Sequence, residues 1–264
     1  MENKRYRIGK VYITATCPEE ADQCIVQLAQ RSTPSYVCVS NARTVTLANR
    51  DAAYRAVMHR AAMCLPDGMP LVWMARLWGL CEVQRTTGPD LFVRLVGHAE
   101  HGLKHFLLGD TEETLQAMRT KFSEQGSRQI VGTLSPAFCE LDDYDYPSIA
   151  AQIAASGADV VWLSLRAPKQ DLFAARLQPY LQRGVCIGVG AAFRFSLGEL
   201  KHPPRWAQKM GVTGLFWRKI NLRLIANYCK FTWMVCRWSI SILWARLRGE
   251  TPMNDLNEAI WQKS

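Results

Sequence analysis

The sequence has no C-x-x-C pair and no apolar leader. Its nine cysteines are odd in number and scattered, which argues against a disulfide framework or a zinc knuckle and indicates reduced thiols. The N-terminus, MENKRYRIGKVYITATCPEE, lacks the apolar stretch of about 7–15 residues that a signal peptide requires. These absences predict a protein of the reducing cytoplasm.

Motifs for common cofactors are also missing. No G-x-G-x-x-G follows the first predicted strand and no G-x-x-x-x-G-K-[ST] occurs, which counts against a dinucleotide dehydrogenase or a P-loop NTPase. D-x-D occurs only as D-Y-D at 143–145, in a polar loop typical of a solvated turn. His98, His101 and His105 need not converge, because Gly102 should end their helix, and no neighbouring Cys or acid completes a ligand set. The sequence therefore predicts neither a metal nor another cofactor.

Acidic residues are absent from 201–248, a segment that holds ten Lys and Arg. Since the whole chain carries +9, the remainder is close to neutral. This segment and the tail after it also hold six of the nine tryptophans. The overall composition, 48% hydrophobic and 21% charged over 264 residues, is that of a folded globular protein of one large or two small domains.

The segment 215–248 predicts an amphipathic helix. Its charges would cost about 2.5–3.5 kcal/mol each in hydrocarbon, which favours a helix lying on the membrane surface, where anionic lipids attract basic residues. Packing on the protein's own core, a true span and a nucleic-acid surface are the alternatives. The polar stripe consists of Arg223, Asn227, Lys230, Arg237 and Ser241.

Alternating strand and helix patterns, joined by short loops, predict a Rossmann-like α/β fold with a mostly parallel sheet covered by helices on both faces. The predicted strands are 6–13, 36–41, an apolar run ending at 65–68, 104–110, 128–136, 158–165 and 185–190. The predicted helices are 19–31, 43–62, 69–79, 89–98, 111–125, 147–156 and 170–182. We place this domain at 1–200 and a basic, Trp-rich appendage at 201–264.

Ligands of such sheets bind beyond the carboxyl ends of the strands, where helix N-termini attract anions. The residues expected there are Asn41, Asp67, Gly109, Asp110, Gly132, Pro168, Lys169, Gln170 and Gly190.

Several of these residues allow two interpretations. Asp67 could be a general base or a helix N-cap, and Arg85 could hold a diphosphate or be a solvated surface residue. The run A-P-K-Q-D (167–171) places a lysine and an amide near any bound phosphate. The small residues of G-V-G-A-A-F-R-F (188–195) indicate a close approach by a ligand or by a neighbouring helix.

Taken together, these motifs resemble the WecG/TagA/CpsF glycosyltransferases, in order and with comparable spacing from about residue 35 to 220. The set is specific, although no single motif is. The matching motifs are N-A-R-T-V-T-L-A (41–48), L-P-D-G-M-P-L-V-W (65–73), R-T-T-G-P-D-L-F (85–92), F-L-L-G-D (106–110), A-P-K-Q-D (167–171), G-V-G-A-A-F-R-F-S-L-G-E (188–199) and P-P-R-W (203–206).

The resemblance implies an inverting, metal-independent transfer of a hexose from a UDP-sugar to a polyprenyl-diphosphate-linked sugar, with a β-1,4 linkage, in bacterial cell-surface or exopolysaccharide biosynthesis. It implies Asp67 as the base, Asn41 and Gln170 as pocket residues and Arg85 as the diphosphate ligand. The C-terminal appendage would bring the enzyme to the inner face of the membrane, with Arg218 and Arg223 as candidates to complete the site. The implied partners are the two substrates and anionic lipids, with homo-oligomerisation left open and no nucleic acid.

Three residues depart from the family pattern and bear on the donor sugar: Val39, Arg43 and Asp171. The form G-A-A-F-R-F-x-L-G-E followed by P-P-R-W resembles a branch that includes glucosyltransferases of xanthan-like polymers. Glucose therefore competes with N-acetylmannosamine as the expected donor sugar. Hypotheses from other classes are a non-catalytic membrane-surface scaffold for polysaccharide assembly and a peripheral nucleic-acid binder.

Overall fold

Strands and helices alternate along the chain, as the sequence predicts. The computed structural model describes residues 4–97, 101–124, 129–204, 206–207 and 222–252, with the backbone alone for 222–231. The strands are β1 (Arg5–Ile8), β2 (Val11–Thr14), β3 (Ser35–Ser40), β4 (Met63–Pro66), β5 (His105–Gly109), β6 (Ile130–Leu134), β7 (Val160–Ser164) and β8 (Val185–Gly188). The α-helices are α1 (Pro18–Ala29), α2 (Ala42–Arg50), α3 (Ala52–Arg60), α4 (Met69–Leu77), α5 (Gly88–Gly97), α6 (Glu112–Glu124), α7 (Tyr146–Ser156), α8 (Lys169–Leu177), α9 (Ala192–Ser196) and α10 (Leu222–Leu247).

Six strands form one parallel sheet in the order β4-β3-β8-β7-β5-β6. Successive side chains of a strand point to opposite faces, and in β7 Val160 and Trp162 join one core while Val161 and Leu163 join the other. Helices α2, α3, α4, α7 and α8 contribute to the core on one face, and α1, α5, α6 and α9 to the core on the other. The predicted Rossmann-like α/β fold is confirmed.

Two predicted elements are each split in the structure. Residues 6–13 do not form one strand, because Gly9 takes φ +63° and the chain reverses there into the antiparallel β1–β2 hairpin. The predicted helix 43–62 is two helices, since Asp51 leaves the helical conformation and its carboxylate caps α3 by accepting from the amides of Ala53 and Tyr54. Both interruptions follow from local backbone chemistry that apolar periodicity does not register.

Helix α10 has one packed and one exposed face. Its residues Trp238, Ile242 and Ala245 are buried in the core that α4 shares. In the part of the chain that the structure describes, no helix is long and apolar enough to span a bilayer. The large apolar side chains that α10 exposes are Trp233, Ile240, Leu243, Trp244 and Leu247.

A carboxyl group lies in the core between α3 and α8. Asp171 is 2% exposed and accepts a hydrogen bond from the Tyr54 hydroxyl at 2.5 Å. Burial raises the pKa of Asp171 to about 7, although hydrogen bonds from Tyr54 and Cys38 act in the opposite direction. The folded protein therefore favours the protonated form of this acid below about pH 7.

We expect Asp171→Asn to flatten the dependence of stability on pH. An unfolded aspartate ionises near pH 4 while the folded Asp171 keeps its proton up to about 7, so its stabilising contribution is complete below pH 4 and is lost between pH 4 and 7. Urea unfolding across this range should show the wild type losing up to about 4 kcal/mol more than the variant. The exposed Asp142→Asn is the control, and equal pH slopes in the wild type and Asp171→Asn would contradict the assignment.

Candidate functional site

The carboxyl ends of β3 and β4 bring two of the predicted site residues together. The Asp67 amide donates to the Ser40 carbonyl at 2.8 Å. A Cβ placed on the neighbouring Gly68 would lie 3.9 Å from the Cβ of Asn41. Asn41 and Asp67 therefore lie side by side, at the edge where ligands of parallel sheets bind.

Asp67 is not a helix cap. Gly68 occupies the N-cap position of α4, and that position has no side-chain cap. The Asp67 carboxyl is partly buried, and this burial raises its pKa to about 7, while the positive charge of Arg85 lowers the pKa and the negative charge of Asp90 raises it. A carboxyl that ionises near neutral pH at a ligand-binding edge is suited to accept a proton from a substrate.

Arg85 reaches Asp67 because its segment runs along the end of β4. The Gln84 amide donates to the Thr16 carbonyl at 3.2 Å, and the Thr86 amide donates to the Pro66 carbonyl at 2.9 Å. These backbone bonds hold Arg85 beside β4, the strand that Asp67 follows. The side chain is partly buried, so Arg85 is not the fully solvated surface residue of the alternative interpretation.

Asp90 is a charged neighbour of Asp67 that the sequence did not single out. Its carboxylate accepts from the Thr87 hydroxyl at 2.6 Å, and that hydroxyl accepts from the Asp90 amide at 3.2 Å, closing the first turn of α5. The motif T-G-P-D is the local signal that could have identified it.

The side chains of Asn41 and Gln170 both hold the backbone of the site. Asn41 Oδ1 accepts from the amides of Arg43 and Thr44, capping α2, so only its Nδ2 group can serve a ligand. Gln170 is buried, and its Oε1 accepts from the Gly190 amide at 3.0 Å. A Cβ at Gly188 would lie 2.6 Å from Gln170 Nε2. Gly188, at the end of β8, and Gly190, after it, therefore accommodate the side chain of Gln170.

The remaining predicted residues lie away from Asp67. Gly109 (φ +102°) closely approaches the Ser164 carbonyl, which a Cβ would meet at 2.8 Å. Gly132 lies inside β6 and not in a loop. The Phe106 ring fills the space that a Cβ at this position would need. Lys169 donates to the Cys139 carbonyl and stands over the Phe138 ring at 4.6 Å.

Two arginines of the C-terminal segment cannot be placed against this site. Arg218 lies outside the described residues, and Arg223 falls in the first turn of α10, where the backbone alone is described. Their expected part in the site stays a prediction.

An ion pair between Asp110 and Arg194 stands at the carboxyl ends of β5 and β8. Arg194 Nη2 donates to Asp110 Oδ1 at 2.7 Å, and Nε donates to Oδ2 at 3.0 Å. The position of Asp110 after a strand was a signal in the sequence. Arg194 stands in the motif G-V-G-A-A-F-R-F (188–195), but nothing in the sequence indicated that it pairs with Asp110, 84 positions earlier.

The family departures lie in different surroundings. Val39 and Asp171 belong to the buried interior, whereas Arg43 is exposed in the first turn of α2. The expectation that these three residues bear on the donor sugar stays a prediction.

A cavity of about 380 Å³ opens between α5 and α9. Its wall is mixed in polarity, and Asp90, which influences the pKa of Asp67, borders it. The lining residues are Pro89, Asp90, Val93, Arg94, Phe195, Ser196 and His202.

Two comparisons with known proteins find similar sequences. Residues 6–243 match the model of the glycosyl transferase WecG/TagA/CpsF family. The chain is also 27% identical, over 179 residues, to the N-acetylglucosaminyldiphosphoundecaprenol N-acetyl-beta-D-mannosaminyltransferase of Bacillus subtilis (strain 168). This similarity covers 67% of the present chain and 66% of the length of that relative.

The pKa of Asp67 should rise further above 7 in Arg85→Met, because the variant removes the positive charge that favours the carboxylate. Asp90→Asn should lower it, since a repelling negative charge is lost. Carboxyl-carbon NMR titration of the labelled protein measures both shifts. Arg31→Met, before β3 at the opposite edge of the sheet, is the control, and an unchanged Asp67 titration in Arg85→Met would refute the arrangement.

Proposed function

The chain belongs to the WecG/TagA/CpsF family of glycosyltransferases, and on that premise we propose that it moves a hexose from a UDP-sugar to a polyprenyl-diphosphate-linked sugar at the membrane surface. The product would enter bacterial cell-surface or exopolysaccharide biosynthesis. The observation that carries this proposal is the partly buried Asp67, whose pKa is about 7, beside Arg85 at the ligand-binding edge of the sheet. A membrane-surface scaffold would need no such group.

In the proposed reaction Asp67 takes the proton of an acceptor hydroxyl as its oxygen attacks the anomeric carbon of the donor. The bond between that carbon and the β-phosphate oxygen breaks, and UDP leaves from the opposite face with the bonding electrons. The configuration at the carbon is therefore inverted, and the 4-hydroxyl of the acceptor sugar gives a β-1,4 linkage.

The leaving diphosphate gains negative charge and needs a positive environment. Arg85 supplies a guanidinium beside Asp67. The N-terminus of α4 has Gly68 as its N-cap residue and therefore no side-chain cap, and such a helix end attracts anions. We propose that these groups, with the basic appendage, neutralise the diphosphate without a metal ion. The cavity between α5 and α9 is the proposed approach of the acceptor sugar, since Asp90 both borders it and influences the pKa of Asp67.

For the donor sugar we propose N-acetylmannosamine or glucose. The name of the Bacillus subtilis relative supports N-acetylmannosamine for that protein, whereas the form of residues 188–199 favours glucose in this chain. We propose that Val39, Arg43 and Asp171, which depart from the family pattern, bear on this choice.

We propose that residues 1–200 form the catalytic domain and that 201–264 attach it to the inner face of the membrane. The exposed face of α10 carries two tryptophans with guanidinium groups stacked on them, Arg237 over Trp233 and Arg248 over Trp244. Indole rings and cations together suit the interface of an anionic bilayer.

Transfer from radiolabelled UDP-glucose, UDP-N-acetylmannosamine, UDP-N-acetylglucosamine and UDP-glucuronic acid to short-chain polyprenyl-diphosphate sugars tests the reaction. With EDTA present, we expect product from one of the first two donors. Asp67→Asn should lower kcat by at least about a hundredfold, in the range that general base catalysis contributes, while donor binding persists. No transfer from any donor by folded, membrane-bound protein, or near-normal turnover by Asp67→Asn, would contradict the proposal.

Replacing Trp233 and Trp244 by serine should weaken binding to vesicles that contain anionic lipid, because their exposed rings would no longer enter the interface. Co-sedimentation should show a loss of about tenfold or more. Tyr180→Ser removes an exposed aromatic ring from outside the appendage and serves as the control. Equal vesicle binding by the double variant and the wild type would exclude this face as the membrane contact.

A further inference from the structure

The proposed chemistry occupies only one half of the binding edge. Asp67 follows β4, which is the end strand of the sheet, and β5 lies four strand positions away, or about 19 Å at the usual strand spacing. Because β4 is the end strand, a donor that has its anomeric carbon beside Asp67 and lies along the strand ends would direct its nucleoside toward β7 and β5. The polar group at that end of the edge is the Asp110–Arg194 pair.

The Asp110 carboxylate is held at a fixed position. Asp110 adopts φ +62°, which is uncommon for a residue other than glycine, and its side chain is only 7% exposed. Its Oδ1 accepts from the Thr111 amide at 3.0 Å as well as from Arg194. Burial acts to raise the pKa of Asp110, but the hydrogen bonds from Arg194 and Thr111 outweigh it and the pKa is lowered. The carboxylate is therefore charged, and it orients the guanidinium along one edge.

The pair also joins the loops that follow four strands. The Asp110 carbonyl accepts from the Ser135 hydroxyl, after β6, at 2.8 Å. Ser164, at the end of β7, donates to the Gly190 carbonyl at 2.7 Å, and Gly190 in turn donates to Gln170. Arg194 completes this network from α9, and 42% of its side chain remains exposed to the edge.

We propose that Asp110 and Arg194 are the positioning residues for the nucleoside half of the donor, so that they determine affinity for UDP and leave the transfer step itself to Asp67. This inference rests on the proposed function. It assigns the pair a role in donor KM, distinct from that of Asp67, because the pair lies at the far end of the substrate from the reacting carbon.

Binding of UDP alone, measured by isothermal titration calorimetry, is the primary test. We expect Arg194→Leu and Asp110→Asn each to weaken it about tenfold or more, and the double variant to be no weaker than the worse single one, since both changes break the same pair. Asn tolerates positive φ, so Asp110→Asn removes the charge while keeping the turn. Arg194→Lys, which keeps charge but loses the two-point contact, should fall between.

The matched control is the ion pair of Arg183 and Asp159, which precede β8 and β7 at the opposite edge of the same sheet. Arg183→Leu should leave UDP affinity within twofold of wild type. In the transfer assay Arg194→Leu should raise the donor KM about tenfold while kcat stays within about threefold. A merely structural role would instead reduce the folded, active fraction and hence kcat.

Three outcomes would overturn the inference: UDP affinity of folded Arg194→Leu within twofold of wild type, an equal loss in Arg183→Leu, or a fall in kcat with unchanged KM. These leave the proposed function intact if the wild type still transfers sugar. A wild-type protein that neither binds UDP nor transfers sugar would overturn both proposals, and this result is distinguishable from the first three.

Discussion

Six parallel strands end at one edge of the sheet, and everything proposed about this protein depends on that constraint. Because the connecting helices return each chain segment to the same starting edge, residues as distant in sequence as Asn41, Asp67 and Gly190 come to the same side. Both faces of the sheet pack against large apolar cores, which hold the fold together, while the loops at the strand ends carry the polar groups proposed to act on a ligand. Chemistry is thereby confined to the loops.

At that edge, desolvation and the charge of Arg85 act in opposite directions on the pKa of Asp67. Burial raises the pKa of Asp67 and Asp90 raises it further, while Arg85 opposes both. The result, about 7, lies where a carboxylate is both present and basic enough to take a proton. Asp110 has the opposite balance, since its direct pairing with Arg194 outweighs burial and lowers its pKa. Two acids at one edge are thus suited to different tasks, one to exchange a proton and the other to keep its charge.

Helix α10 joins the proposed membrane contact to the folded domain. Its buried face shares a core with α4, whose first residue follows Asp67 and Gly68. The Arg246 guanidinium also donates to the Leu77 carbonyl at the end of α4. The sequence allowed two interpretations of this segment, packing on the core and lying on the membrane. They describe opposite faces of one helix, and the structure shows the packed face.

The sequence by itself determined the strand and helix order, the fold class, the family and the position of Asp67 after a strand, because these depend on local periodicity and on motifs whose members are adjacent. The sequence left open whether Asp67 is a general base or a helix N-cap, because the cap depends on where α4 begins. Only the tertiary structure decided that Gly132 accommodates Phe106, that Gln170 holds Gly190 and that Val39 and Asp171 are interior. It alone paired Asp110 with Arg194, because a contact across 84 residues leaves no periodic trace in either segment.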